Sequence, residues 1–299
     1  MNRMRIPILA LAALAAVTIA SGAVADTIPF PSAHAGDVFV IAQTTTTDGV
    51  MSDYFAPSSS VIFRAYAVDG KTRKVLVAKD VTYFYVTIPN QPNVKLTYNP
   101  TATGASGQYT WTGKWAVPAN YPTGPVFFKT LVKSKAKRTG SFVQLPVVTS
   151  QLTISTTPGI PTGPGPSGAA GPTGKVDTVI YADSVNGTGP KGAAPRPIGC
   201  TQTNVFKRGE QFVLRAYGFD LTARAVLSID NVTEAHFSVP GQPNVVLNWG
   251  GHGPQKVFIW TNFWNIPADY PLGNTTVHIQ FTLTSGKVAA LDYPIVIIP

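Results

Sequence analysis

Residues 61–98 read VIFRAYAVDGKTRKVLVAKDVTYFYVTIPNQPNVKLTY, and residues 212–249 read FVLRAYGFDLTARAVLSIDNVTEAHFSVPGQPNVVLNW. At an offset of 151 the two stretches share 15 of 38 positions without a gap. Arg64-Ala65-Tyr66 meets Arg215-Ala216-Tyr217, Asp69 meets Asp220, and Gln91-Pro92-Asn93-Val94 meets Gln242-Pro243-Asn244-Val245. The register resumes at an offset of 149. There WTGKWAVPANYPTG (residues 111–124) and WTNFWNIPADYPLG (residues 260–273) share 8 of 14 positions. Two divergent copies of one unit are the economical reading of a 299-residue chain. Units of about 100–150 residues are large enough to bury their own cores.

The pattern within each copy is that of strands and turns. In residues 61–67, Val61, Phe63, Ala65 and Ala67 point one way and Ile62, Arg64 and Tyr66 the other, so one face is expected in the core. Asp69-Gly70 breaks that strand. Residues 81–88 (VTYFYVTI) are β-prone and stop at Pro89, which has no N–H for a ladder. Further strands are expected over residues 37–43, 94–98, 109–117, 126–133 and 141–150. Residues 44–60 read as a long polar loop. Frequent short strands of this spacing predict an all-β fold of two tandem Greek-key sandwiches.

The flanking segments set the boundaries. Residues 1–25 carry Arg3 and Arg5, an apolar run and Ala23-Val24-Ala25, the pattern of a cleaved export signal. The expected mature chain is secreted, periplasmic or held at the cell surface. Residues 26–155 form the first sandwich and residues 176–299 the second. Residues 156–175 form a Gly/Pro-rich linker, read as a semi-extended spacer. In the second copy a long insertion, residues 183–208, stands in place of the 44–60 loop. Cys200 is the sole cysteine, so no disulfide staples either copy.

Enzyme chemistry finds little support in the residues, and the expectation is a non-enzymatic protein with no cofactor and no metal. His34, His236, His252 and His278 sit at no metal-binding spacing and do not recur between copies. Nucleophile elbows and phosphate-binding glycine loops are missing from the sequence. The weaker enzymatic alternative places a site in the insertion, with Cys200 and His252 as participants, because long loops host sites. Asp69 and Asp220 recur, but at turns, where Asp bonds its own backbone.

Two clusters suggest binding. Lys129, Lys133, Lys135, Lys137 and Arg138 crowd one expected hairpin of the first copy, where the second copy has only Lys287. Residues 26–157 hold 12 basic and 6 acidic residues, whereas residues 176–299 hold 8 of each. The hairpin therefore suits an anionic polymer or a cell-envelope component. Its alternative role is to guard a sheet edge against pairing. Tyr83 and Tyr85 are the second cluster, since Glu234 and His236 replace them in the other copy and imply a face in solvent. Exposed tyrosines would serve carbohydrate binding. Tyr109, Trp111 and Trp115, and likewise Phe258, Trp260 and Trp264, share strand parity; repetition favours the core over a stacking platform.

The run Trp-x-Val/Ile-Pro-Ala-x-Tyr-Pro-x-Gly, at residues 115–124 and 264–273, leads into an alternating strand, a short turn and a last strand. This ending resembles bacterial Ig-like sandwich modules of exported and surface proteins. The resemblance covers both copies, though not the linker or the insertion. It implies spacer, adhesion or polymer-binding roles without catalysis. The expectation is a protein that binds or assembles at the cell surface, the first copy contacting an anionic partner and the second another exported protein. No nucleic-acid specificity and no membrane span after cleavage are expected.

Overall fold

The structure, a computed structural model, describes residues 38–99, 109–144, 151–157, 164–166, 174–187, 199–252 and 256–299. The expected export signal, most of the linker and the middle of the insertion lie outside the described residues.

The first copy builds β1 (Val38–Thr45), β2 (Tyr54–Phe55), β3 (Ser60–Asp69), β4 (Val81–Thr87), β5 (Val94–Lys95), β6 (Thr97–Tyr98), β7 (Trp111–Ala116), β8 (Gly124–Pro125), β9 (Lys129–Ser134), β10 (Thr139–Val143) and β11 (Thr153–Ile154). The second builds β12 (Thr178–Asn186), β13 (Val205–Lys207), β14 (Gln211–Asp220), β15 (Ala225–Val226), β16 (Val232–Ser238), β17 (Val245–Val246), β18 (Asn248–His252), β19 (Val257–Asn265), β20 (Gly273–Leu283) and β21 (Val288–Ile298). One sheet runs β1-β3-β7-β6 in the first copy and β12-β14-β19-β18 in the second. The other runs β10-β9-β4-β5 and, in the second copy, β13-β21-β20-β16-β17. These orders correspond to the A-B-E-D and G-F-C arrangement of an Ig-like sandwich, with an added strand after C. A short strand lies parallel to the last strand in each copy, β2 on β11 and β13 on β21. The fold is therefore all-β and Ig-like, and each sheet draws its described strands from one copy.

Packing replaces the missing disulfide. Phe63 meets Phe128 edge-on at 5.0 Å, and Phe212 meets Phe237 at 5.7 Å. Trp111 donates its indole N–H to Leu76 O at 3.0 Å, and Trp260 donates to Leu227 O at 2.6 Å. The repeated motif also gains a physical reason. Trp115 lies edge-on to Tyr121 at 5.0 Å and Trp264 to Tyr270 at 4.9 Å, so the Pro-Ala turn folds its tyrosine back onto its tryptophan. Trp111, Trp115, Trp260 and Trp264 are buried, as repetition suggested. Phe258 departs from its expected parity: it is 40% exposed, against Trp249 at 5.9 Å.

The structure corrects three expectations about exposure. The face of β3 carrying Ile62, Arg64 and Tyr66 was expected outside the core, yet Arg64 and Tyr66 are buried and Ile62 is half-buried. The two A-B-E-D sheets turn their outward faces toward one another. Phe39 packs on Phe219 at 4.6 Å, and one hydrophobic cluster runs from Ile41 and Tyr66 to Tyr217 and Leu221; Phe142, from β10 of the other sheet, joins it 5.9 Å from Tyr181. Burying an extra apolar face contributes about 25 cal/mol per Å², which offsets the loss of hydration of its polar members.

Second, neither crossover is a free loop. Val50, Met51, Ser52 and Asp53 are buried, and Asp183–Asn186 prolong β12 into the interior. The crossovers hold each other: Met51 N–H donates to Asn204 Oδ1 at 2.8 Å, and Gln202 N–H donates to Asp53 Oδ2 at 3.1 Å. Third, the linker is docked at Gly165 and Pro166. Gly165 N–H donates to Asp48 O at 2.8 Å, and Pro166 is buried. A Cβ at Gly165 would lie 2.3 Å from the Gly49 backbone, so only glycine permits this approach.

Candidate binding face

The G-F-C sheet of the first copy keeps one face in solvent. Strand alternation places Lys129, Leu131 and Lys133 outward on β9, with Thr130, Val132 and Ser134 buried between them. Cross-strand register then sets their neighbours. Tyr83 stands opposite Lys133, Tyr85 opposite Leu131, and Thr87 opposite Lys129. On the far side of β4, Tyr85 also stands opposite Lys95. On β10, Ser141 faces Leu131 and Val143 faces Lys129. Directly opposed side chains on neighbouring strands have Cβ atoms about 4.5–5.5 Å apart.

The two clusters read separately from the sequence are thus one surface. Tyr83 is 39% exposed and Val143 53%; Phe127, two residues before Lys129, is 64% exposed. The rings of Tyr83 and Tyr85 lean together, centroids 5.2 Å apart and planes 35° from parallel. Lys95 and Lys129 are exposed, while Lys133 is half-buried at its stem. Lys135 and Lys137 are exposed at the hairpin tip, where Lys137 takes a positive φ of 64° and its N–H donates to Ser134 O at 3.0 Å. Among the described residues, none of these five lysines is in an ion pair.

Arg138 differs from its four partners in the expected set. Its Nε donates to Asp69 Oδ2 at 2.7 Å and its Nη2 bonds the same oxygen. Asp69 Oδ1 accepts the N–H groups of Lys71 and Thr72, at 3.1 and 2.9 Å, as a turn aspartate does. Burial pushes the Asp69 carboxyl up, but the Thr72 and Arg138 hydrogen bonds outweigh it and hold the pKa below the ordinary value. Arg138 therefore ties the hairpin to β3 and is spent on structure. Lys95, Leu131 and Phe127 are the face residues that the sequence alone did not single out. The alternation of VKLTY was visible, but the pairing that brings Lys95 beside Tyr85 was not.

The second copy carries a different face on the same strands. Glu234, His236, Val246, His278, Gln280 and Thr282 occupy the positions of Tyr83, Tyr85, Lys95, Lys129, Leu131 and Lys133. His278 Nδ1 lies 2.7 Å from Asp292 Oδ1, and His236 Nδ1 lies 3.2 Å from Glu234 Oε1.

Elsewhere, the buried seam holds the strongest electrostatics. Asp183 accepts from Arg215 Nε at 2.6 Å and Nη2 at 2.7 Å, from Tyr181 Oη at 2.7 Å and from Gln202 Nε2 at 2.8 Å. Burial works against the Arg215 charge, but Asp183 outweighs it and raises the guanidinium pKa. Among the described residues, no three of His, Cys, Asp and Glu gather where they could hold a metal ion. No helix of the described residues is long and apolar enough to cross a membrane.

No family model matches the chain, and no curated protein matches it. Solved structures with some likeness include the fibronectin(III)-like modules of Clostridium thermocellum CbhA, at 11% identity over 85% of this chain and 93% of that one, with a TM-score of 0.20. Another is the Bacteroides ovatus mixed-linkage glucan utilization locus protein SGBP-B in complex with a mixed-linkage heptasaccharide. It has 7% identity over 89% of this chain and 54% of that one, with a TM-score of 0.20. Cadherin domains 3–6 of protocadherin gamma B2 match at 9% identity over 90% and 79%, with a TM-score of 0.21. The assignment of an Ig-like β-sandwich rests on the strand order above, not on these superpositions.

Proposed function

We propose that this is an exported, non-catalytic binding protein whose first copy holds an anionic polymer or envelope component against the outer face of β9, β4 and β5. The observation that carries this reading is the set of lysines without an ion pair among the described residues, Lys95, Lys129, Lys133, Lys135 and Lys137, gathered on one sheet face and its hairpin. Several cations on one side of a small domain raise the local concentration of a polyanion and speed its capture. The matching face of the second copy carries no lysine at these positions and has no such pull; contact with another exported protein is its proposed role. An edge-guarding role explains Lys135 and Lys137 at the hairpin tip, but Lys129 and Lys133 lie on β9, a central strand paired on both sides.

The test is binding of the full mature chain to the producing cell's envelope at low and high salt. Wild type is expected to bind at low salt and release as screening shortens the reach of its charges. Lys129→Gln with Lys133→Gln should lose most of that binding while the thermal melt stays in place. Retention of binding by this variant at low salt would remove the reading.

A further inference from the structure

The lysines do not stand alone on this face; they surround the tyrosine pair. Tyr85 has Lys95 directly across one edge of β4 and Leu131 across the other. Lys129 and Lys133 flank Leu131 two residues to either side. Both are diagonal neighbours of Tyr85, about 7–8 Å away across the strands and within reach of long side chains. A polyanion recognised by charge alone has no need of aromatic rings at the centre of its site. We propose that the ligand is an acidic polysaccharide, with a sugar ring laid across Tyr83 and Tyr85 and its carboxylate or sulfate groups reached by Lys95, Lys129 and Lys133. This rests on the anionic-polymer reading and narrows it to one chemical class.

The ring geometry favours a sugar over a nucleobase. A base inserted between two aromatic rings needs about 7 Å between them, two contacts of about 3.5 Å each. Tyr83 and Tyr85 stand 5.2 Å apart and lean on each other, so nothing flat enters between them. Together they offer a shallow apolar step with hydroxyls at its edge. The C–H face of a pyranose ring covers such a step, while its charged substituents project sideways to the lysines. The second copy has Glu234 and His236 at the tyrosine positions and no lysine opposite them, so it lacks both halves of the site.

Three probes separate ring from charge: polygalacturonate, fully methyl-esterified polygalacturonate, and inorganic polyphosphate. They are titrated by calorimetry against the full mature chain, against Tyr83→Thr/Tyr85→Thr, and against Lys129→Gln/Lys133→Gln. Threonine keeps the strand β-prone, and an unchanged far-UV spectrum and melt verify the fold. Wild type should bind polygalacturonate more tightly than polyphosphate of equal charge, and the methyl ester weakly. The tyrosine variant should weaken polygalacturonate about tenfold or more, since each stacked ring contributes on that scale, and leave polyphosphate unchanged. The lysine variant should weaken both anions. If the tyrosine variant binds polygalacturonate as wild type does, or polygalacturonate fails to bind while polyphosphate binds, the polysaccharide assignment falls and the anionic-polymer reading stands. If the lysine variant keeps both anions, or wild type binds neither, the anionic-polymer reading itself falls.

Discussion

The outward face of β3 and the outward face of β4 carry the same kinds of residue. Arg64 and Tyr66 mark the first, Tyr83 and Tyr85 with opposed lysines the second. One is sealed between the two copies, where Arg64 is 8% and Tyr66 2% exposed; the other meets solvent, with Tyr83 at 39%. The lesson is that an alternating strand marks which residues share a face but not what that face meets. A tyrosine or arginine is amphipathic enough for either fate. What separates them is the partner: the β1–β3 face finds the β12–β14 face of the other copy, and the β4–β9 face finds no other described part of the chain.

Within the seam the two copies differ as well. Arg215 lies opposite Asp183, whereas Arg64 lies opposite Gln43. Arg64 Nε donates to Thr45 Oγ1 at 3.2 Å, and burial lowers its pKa. Among the described residues, the Gln43 amide has no hydrogen-bond partner on either atom.

The contrast can be broken most forcefully at Asp183. Asp183→Ala leaves the Arg215 charge buried without its carboxylate and should cost about 3–5 kcal/mol, read from urea unfolding. A loss under about 1 kcal/mol would show that the seam opens to water. Next comes the apolar contact between copies. Phe219→Ala removes the ring on Phe39 and should cost about 3 kcal/mol or more. In calorimetry the wild type should melt in one transition, because the core is shared; two resolved transitions would place the copies in separate cooperative units.

Asp53 gives a smaller effect with a sign that pH reveals. Burial lifts its carboxyl well above the ordinary value of 3.8, and the Gln202 N–H and the Arg215 charge only partly oppose that. Between 3.8 and the lifted value, the folded chain holds a proton here that the unfolded chain releases. Acidifying from neutral toward 3.8 adds stability here, and raising pH through the lifted value removes it. Asp53→Asn should raise the melting temperature at neutral pH and flatten this part of the pH profile. An unchanged profile would mean the carboxylate is already compensated. The smallest stability effects belong to the free face. Lys133→Gln and Tyr83→Thr should each stay within about 0.5 kcal/mol of wild type, as surface changes do, while altering binding. A loss as large as that of Phe219→Ala would mean this face is covered too.

Much of the fold was legible because repetition doubles the signal. Two copies with matched Pro-Ala-x-Tyr turns and buried tryptophans predicted the strands, and Trp115 with Tyr121 shows why the motif recurs. The candidate face was half legible: Tyr83, Tyr85, Lys129 and Lys133 were found as separate clusters, and Arg138 was grouped with lysines it does not join. Lys95 went unnoticed because it lies 38 residues from Lys133 in the chain. The amino-acid sequence by itself determined most of the strands, the internal repeat, the all-β class and the charge asymmetry, since these follow from local alternation, turn residues and composition. Only the tertiary structure decided which outward faces are buried, that Asp69 claims Arg138, and that tyrosines and lysines share one surface. Those facts depend on cross-strand register and on the docking of distant segments, which no local pattern encodes.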